Sequence, residues 1–197
     1  VLEPSVGTGN FLYAVKDLGI KSNITAFEIN ETTAKIAKIL HPEANINLRS
    51  FETEFIDEKG NKKDFSEKYD LVIGNPPYVQ SHALDEGSKE YIYKKYLTAE
   101  YQINTYAVFT EKIINIIKQK GIYSIIIPNY WLSTKYDSKL RTLVFLLNNC
   151  LEIVNLFRVF EDATVDTLIL TGKKGNVEEF PKKTHICSID KSLDTIE

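Results

Sequence analysis

Methionine is absent from the sequence, tryptophan occurs once and cysteine only twice in a chain of 197 residues. With no initiating methionine and an opening that runs directly into VLEPS, the chain reads as a piece of a longer polypeptide. Two thiols, Cys150 and Cys187, are too few for a disulfide framework, and the expectation is a pair of buried, inert cysteines. No apolar run approaches the roughly 18 residues that a membrane span requires, and no signal peptide opens the sequence, so it reads as cytoplasmic with no membrane partner. Surplus positive charge is lacking too. The formal net charge of −3 argues against a stand-alone, high-affinity nucleic-acid binder, although Lys94 and Lys95, and the group Lys135, Lys139 and Arg141, could touch phosphates locally. The three histidines, His41, His82 and His185, form no metal-ligand spacing, and no metal is expected.

What is present is ordinary for a globular domain: 43% hydrophobic and 26% charged residues, in a chain long enough for one well-buried domain and short for two. Apolar, β-branched segments at 24–27, 69–73, 122–127, 151–156 and 167–171 read as strands. Helical patterns fall at 11–18, 32–40, 105–120 and 137–148. In the third of these, Tyr106, Phe109, Ile113, Ile114 and Ile117 share one face, and Gly121 stands where a C-terminal cap belongs. Alternating strands and helices predict an α/β fold with a doubly wound, mostly parallel sheet, its first strand cut short. The stretch 57–64 reads as a polar turn, and 79–104 as a long connection with a helix over 89–97. After Gly172 the chain turns charged and irregular, with one possible short strand at 185–189; the domain is expected to end near residue 175, leaving 176–197 as a tail or linker.

Two loops carry chemistry. The first, Glu3-Pro4-Ser5-Val6-Gly7-Thr8-Gly9-Asn10-Phe11, joins the remnant of a strand to a helix, and its glycines let a ligand approach the backbone. It lacks the Gly-Lys-Ser/Thr ending of a Walker A loop, and Leu12 stands where a dinucleotide fingerprint needs its third glycine. Glu3, at the strand tip, would repel a pyrophosphate but suits a positively charged ligand such as the ammonium and sulfonium of S-adenosylmethionine. Glu28 ends the next strand, where a carboxylate can accept both ribose hydroxyls; with Asn30-Glu31 just beyond it, it could instead cap a helix. The second loop is Ile73-Gly74-Asn75-Pro76-Pro77-Tyr78. Its prolines remove two donors and fix φ, so a stiff loop should present Asn75 and Tyr78 outward.

In this order, EPSVGTGNF, Glu28 and IGNPPY, the sequence resembles the S-adenosylmethionine-dependent DNA adenine-N6 methyltransferases of the gamma arrangement, as found in type II and IIG restriction-modification systems. Tyr106-Ala-Val-Phe-Thr-Glu111 resembles their helix beside the cofactor, Gly121 to Pro128 their following strand, and Phe157 to Val165 their late motif, whose aromatic, here Phe160, faces the target base. The resemblance implies a Rossmann-like class I methyltransferase domain over residues 1–175, with S-adenosylmethionine bound by Glu3, Pro4, Gly7, Gly9, Phe11, Glu28, Phe51 and Asn75. Asn75, Pro76, Pro77 and Tyr78 would be catalytic, and Tyr78 and Phe160 would hold the base. The sequence departs from the family at Ser50, where an acid before Phe51 often binds the cofactor's adenine. An N-terminal helix over the cofactor and a target recognition domain, which the family uses to engage double-stranded DNA, are also missing from these residues.

The chemistry explains the residue types. An exocyclic adenine amine is a weak nucleophile because its lone pair is delocalised; the Asn75 side-chain oxygen and the Pro76 carbonyl could accept its two N–H groups and direct the lone pair toward a methyl donor. A base inside a duplex must first be flipped out. Cytosine-C5 transfer would need a cysteine after proline, and Cys150 and Cys187 follow asparagine and isoleucine. Protein glutamine methyltransferases, which use the same Asn-Pro-Pro-Tyr loop, RNA methylation and a non-catalytic cofactor-binding module stay open as alternatives.

Overall fold

A computed structural model of the protein describes residues 1–51, 68–79, 84–99, 101–157, 165–175 and 183–189. The strands are β1 (Leu2–Glu3), β2 (Thr25–Glu28), β3 (Asn45–Leu48), β4 (Tyr69–Gly74), β5 (Ile117–Pro128), β6 (Asn149–Phe157), β7 (Thr167–Lys173) and β8 (His185–Ser188). The helices are α1 (Asn10–Asp17), α2 (Glu31–Leu40), α3 (Glu86–Lys95), α4 (Thr105–Ile116) and the short α5 (Ser138–Arg141). One eight-stranded sheet runs in the order β3-β2-β1-β4-β5-β7-β6-β8. Strands β3 to β5 pair in parallel, β7 is antiparallel to both of its neighbours, and β8 is parallel to β6. The expected α/β class with a mostly parallel sheet is what the chain adopts, and β8 carries that sheet beyond residue 175.

Side-chain alternation sorts the strands onto two cores. On β2, Ala26 joins Val6, Leu12, Val15, Ala34, Ala37 and Ile46 under α1 and α2, while its neighbour Phe27 joins the opposite cluster with α4. On β4, Val72 and Ile73 divide in the same way. Both faces are therefore covered, the condition a parallel sheet needs. A third cluster of Ile92, Tyr96, Ala99, Ile103 and Val108 packs α3 and the 3₁₀ turn Leu97–Ala99 onto α4, which is buried along nearly its whole length. The carboxylate of Glu111, on α4, accepts from the N–H groups of Leu97 (3.1 Å) and Thr98 (2.8 Å) and so closes that turn.

Three expectations are corrected. Helix α4 stops at Ile116, because Ile117 pairs with Tyr69 as the first residue of β5; the register then shifts, with Lys120 in a left-handed turn at φ 65°, before Ile122 pairs with Leu71. Gly121 is thus no helix cap. A Cβ there would lie 2.6 Å from Ile117 Cγ1 and 2.9 Å from the Lys118 carbonyl, so it is needed for close approach inside that turn. The second concerns 137–148, where one regular helix gives way to a 3₁₀ turn, four residues of α5 and a π turn at Thr142–Leu146. As for the cysteines, Cys150 is buried but Cys187 is only half-buried, and both are free thiols. The polar turn at 57–64 and the late-motif residue Phe160 lie outside the described residues. Among those described, no helix is long and apolar enough to cross a membrane.

The centre of the sheet rests on one cross-strand pair. Tyr123 of β5 lies opposite Gly172 of β7, and a Cβ on Gly172 would sit 2.2 Å from the Tyr123 hydroxyl oxygen. That hydroxyl is buried and has no hydrogen-bond partner among the described residues. Gly172→Val should therefore lower stability by about 1–3 kcal/mol through overpacking, whereas Tyr123→Phe should leave it equal or higher because an unsatisfied polar atom is removed. Urea unfolding midpoints of the two variants test both statements.

Candidate active site

The parallel strands β1, β2 and β4 end side by side, and the chain leaves β1 and β4 toward opposite faces, so their C-terminal ends open onto a crevice. A cleft of about 210 Å³ lies there, lined by Pro4, Ser5, Phe27, Glu28, Ile29, Arg49, Ser50, Phe51, Asn75, Pro77 and Phe109. Five of the residues predicted for the site, Pro4, Glu28, Phe51, Asn75 and Pro77, line it together. Pro76 is buried and Tyr78 half-buried in the same loop.

Gly7 and Gly9 shape the first loop rather than line the cleft. Gly7 has φ 56° with open space around it, so its backbone conformation is the reason for glycine. Gly9 has φ 101°, and a Cβ there would also meet the His41 ring at 2.4 Å. His41, buried at the C-terminal end of α2, backs the loop, which no spacing in the sequence signals. Phe11 is half-exposed in the first turn of α1 and does not reach the cleft lining.

The Glu28 carboxylate accepts hydrogen bonds from the backbone N–H of Gly7 (3.0 Å) and of Asn30 (2.8 Å). Helix α2 is capped instead by Asn30, whose side-chain oxygen accepts from the Thr33 N–H at 3.0 Å, and this removes the capping alternative for Glu28. Two N–H donors fix the carboxylate without exhausting its lone pairs, so it can still accept from a diol. Beside it, Phe51 packs edge-on to Phe27 at 5.5 Å and against Phe109 at 5.1 Å, with the Lys112 ammonium 4.7 Å from its ring centre and bonded to its carbonyl. The Phe51 ring is thus rigid, 1% exposed, and forms the cleft wall with little face to spare. Next to it the Ser50 hydroxyl is buried with no partner among the described residues.

Glu3 departs from expectation. Placed by the sequence at the mouth of the site, it is fully buried, and neither carboxylate oxygen makes a hydrogen bond of normal geometry among the described residues. Burial holds its pKa well above the ordinary carboxylate value, with the Ser5 backbone opposing only in part. Burial thus works against the negative charge that would attract a cation.

The second loop is tied on three sides. The Ser5 hydroxyl donates to the Asn75 carbonyl at 2.8 Å, joining the two loops directly. The Thr105 hydroxyl, in the first turn of α4, donates to the Pro77 carbonyl and accepts from the Val79 N–H at 2.9 Å. The Tyr78 hydroxyl lies 2.6 Å from Asn75 Oδ1 and 3.2 Å from the Ile126 carbonyl. Tyr78 was expected to project outward; it instead folds back against the core, and burial pushes its phenol pKa up, so it stays a neutral donor. One lone pair of Asn75 Oδ1 is therefore engaged by tyrosine and one is left over.

The fit to S-adenosylmethionine rests on particular atoms. The glycine loop leaves room for backbone approach, Glu28 offers acceptors for a ribose, and the aromatic wall with the orphaned Ser50 hydroxyl suits an adenine ring and its edge. When bound, that molecule supplies a methyl group on a sulfonium centre.

Glu3 gives a pH test of the site's frame. Its proton is kept in the folded state and lost in the unfolded chain above the ordinary value near 4.5, so stability falls as pH rises from there toward the raised folded pKa. Glu3→Gln should raise the melting temperature at about pH 8 and leave it nearly unchanged at about pH 4. Thermal melts of both proteins across pH decide this.

Residues 10–160 match the family model described as Eco57I restriction-modification methylase. The type II methyltransferase M.HincII of Haemophilus influenzae is 34% identical over 184 residues, 89% of this chain and 32% of its own length. The chain spans about a third of the length of the curated relatives it matches first. A Listeria monocytogenes crystal structure described as a class I S-adenosylmethionine-dependent methyltransferase superposes with a TM-score of 0.77 at 15% identity, over 98% of this chain and 59% of that one. The DrdV–DNA complex superposes with a TM-score of 0.72 at 15% identity, over 95% of this chain and 24% of that one. The fold is that of the class I methyltransferases, whose expected cofactor is S-adenosylmethionine, and the chain belongs to the Eco57I restriction-modification methylase family.

Proposed function

We propose that this chain is the catalytic core of a DNA methyltransferase of a restriction-modification system, which transfers a methyl group to N6 of an adenine flipped out of double-stranded DNA. The observation that supports the reading is that Asn75 lines the cleft at the ends of β1, β2 and β4, with its carbonyl fixed by Ser5 and its side chain by Tyr78. An amine held by the free lone pair of Asn75 Oδ1 would keep its own lone pair directed into the cleft. The loop supplies neither a nucleophile nor a strong base, so its contribution is orientation of a neutral amine. Two prolines and the Thr105 clamp fix that orientation before substrate arrives. Double-stranded DNA is the partner proposed for the whole protein, and a target recognition domain outside these residues would choose the sequence. Phe160 is proposed as the second ring against the base.

Glu28→Ala should abolish S-adenosylmethionine binding by calorimetric titration. Asn75→Ala, by contrast, should leave that binding close to normal while lowering N6-methyladenine formation by the full-length protein about 10²-fold or more, as expected when a positioning contact is lost. Near-normal methylation by Asn75→Ala would remove the amine-acceptor role.

Tyr78 combines a ring for stacking with a hydroxyl that holds Asn75. Tyr78→Ala should weaken capture of the extruded base by about 1–3 kcal/mol, while Tyr78→Phe, which keeps the ring, should retain it. Fluorescence of 2-aminopurine at the target position reads this out; an unchanged signal in Tyr78→Ala would take the base-stacking role from Tyr78.

A further inference from the structure

Away from the cleft, strands β6 and β8 bring together three side chains that the sequence keeps apart. In their parallel register Glu152 lies level with His185, and Val154 with Cys187. His185 and Cys187 are two residues apart on one strand and so face the same side. Their donor atoms, with the Glu152 carboxylate, all lie within 4.8 Å of one another, and the His185 Nδ1 is 3.3 Å from Glu152 Oε1.

We propose that Glu152, His185 and Cys187 form a binding site for a borderline-soft divalent cation of the Zn²⁺ class. A tetrahedral ion with ligand bonds of about 2.0–2.3 Å needs donors roughly 3–4 Å apart. The observed separations, up to 4.8 Å, lie close to that range. A thiolate and an imidazole select against Mg²⁺ and Ca²⁺, which take oxygen ligands. His185 presents Nδ1 toward the carboxylate, so Nδ1 is the nitrogen placed to ligate. Binding turns the Cys187 thiol into a thiolate, releases its proton to solvent, and leaves a fourth position for water.

The position of the site gives it a task. Among the described residues β8 is the outermost strand and pairs with β6 alone, and it leaves Ile186 71% exposed, so apolar burial does little to fasten it. At the ends of this segment Thr184 Oγ1 donates to the Cys150 carbonyl at 3.0 Å, and the Ile189 N–H to the Asn155 carbonyl at 3.0 Å. A cation shared between the two strands would clip β8 to β6.

The test is titration of the chain with Co²⁺ as a spectroscopic stand-in and with Zn²⁺ in calorimetry, with far-UV circular dichroism confirming that each variant is folded. Expected are a near-ultraviolet thiolate-to-cobalt absorption band, its displacement by Zn²⁺, and a rise in melting temperature at saturating Zn²⁺. Cys187→Ser and His185→Ala should lose the band and the melting shift, while Cys150→Ala keeps both. No band in the unaltered chain, or a band that survives Cys187→Ser, overturns the proposal.

Discussion

The close approach of the ends of β1 and β4 is the contact on which the rest of the site depends. Gly74 closes β4 against Glu3 and Pro4: a Cβ on it would stand 2.4 Å from Glu3 Oε1 and 3.1 Å from Pro4 Cδ. Only with no side chain there can the two strand ends lie this close, and only then does the Ser5 hydroxyl reach the Asn75 carbonyl. The glycine loop and the Asn-Pro-Pro-Tyr loop are consequently one rigid unit and not two independent loops. Glu3 is buried by the same contact, so a carboxyl at a strand tip is shut off from solvent and has no hydrogen-bond partner among the described residues.

That rigidity matters because of the chemistry proposed for the loop. An amide side chain can improve a weak amine nucleophile only by holding it in one direction, and a wobble of the holder would forfeit the gain. The structure restricts Asn75 through its own carbonyl, through its side chain by way of Tyr78, and through the following residues by the Thr105 bracket. Thr105 in turn belongs to α4, which is buried along nearly its whole length. The cleft wall is built in the same manner: Phe51 is held by two aromatic neighbours and a buried lysine, so its position does not await a ligand.

Much of this was legible in the sequence, and the misses have physical causes. Loops at strand ends are written in residues with strict conformational demands, glycine at positive φ and proline in pairs, so Gly7, Gly9, Pro76 and Pro77 announce themselves. Strand β3 was not read, because Asn45-Ile-Asn-Leu48 presents a single buried side chain at the sheet's edge and carries little apolar signal. The end of α4 was misplaced since Ile117 satisfies both a helical stripe and a strand; pairing with Tyr69, a tertiary contact, decides for the strand. Glu3 and Tyr78 are oriented otherwise than expected: Glu3 is buried and Tyr78 packs against the core. Whether a strand-tip side chain turns into the cleft or behind it depends on the neighbouring strand, here Gly74 and Ile126, and local sequence is silent on that.

The same limit applies at the opposite end of the sheet. His185 and Cys187 by themselves are an exposed imidazole and a half-buried thiol; only the parallel register with β6 adds the carboxylate and turns separate residues into a donor set. Sheet topology thus does for Glu152, His185 and Cys187 what it does for Ser5 and Asn75, which are 70 residues apart yet share a hydrogen bond. In both places the chemistry belongs to neighbouring strands and not to a motif. A reading of function that stops at contiguous motifs will find the loops that bend the chain and overlook the groups that hold them in place.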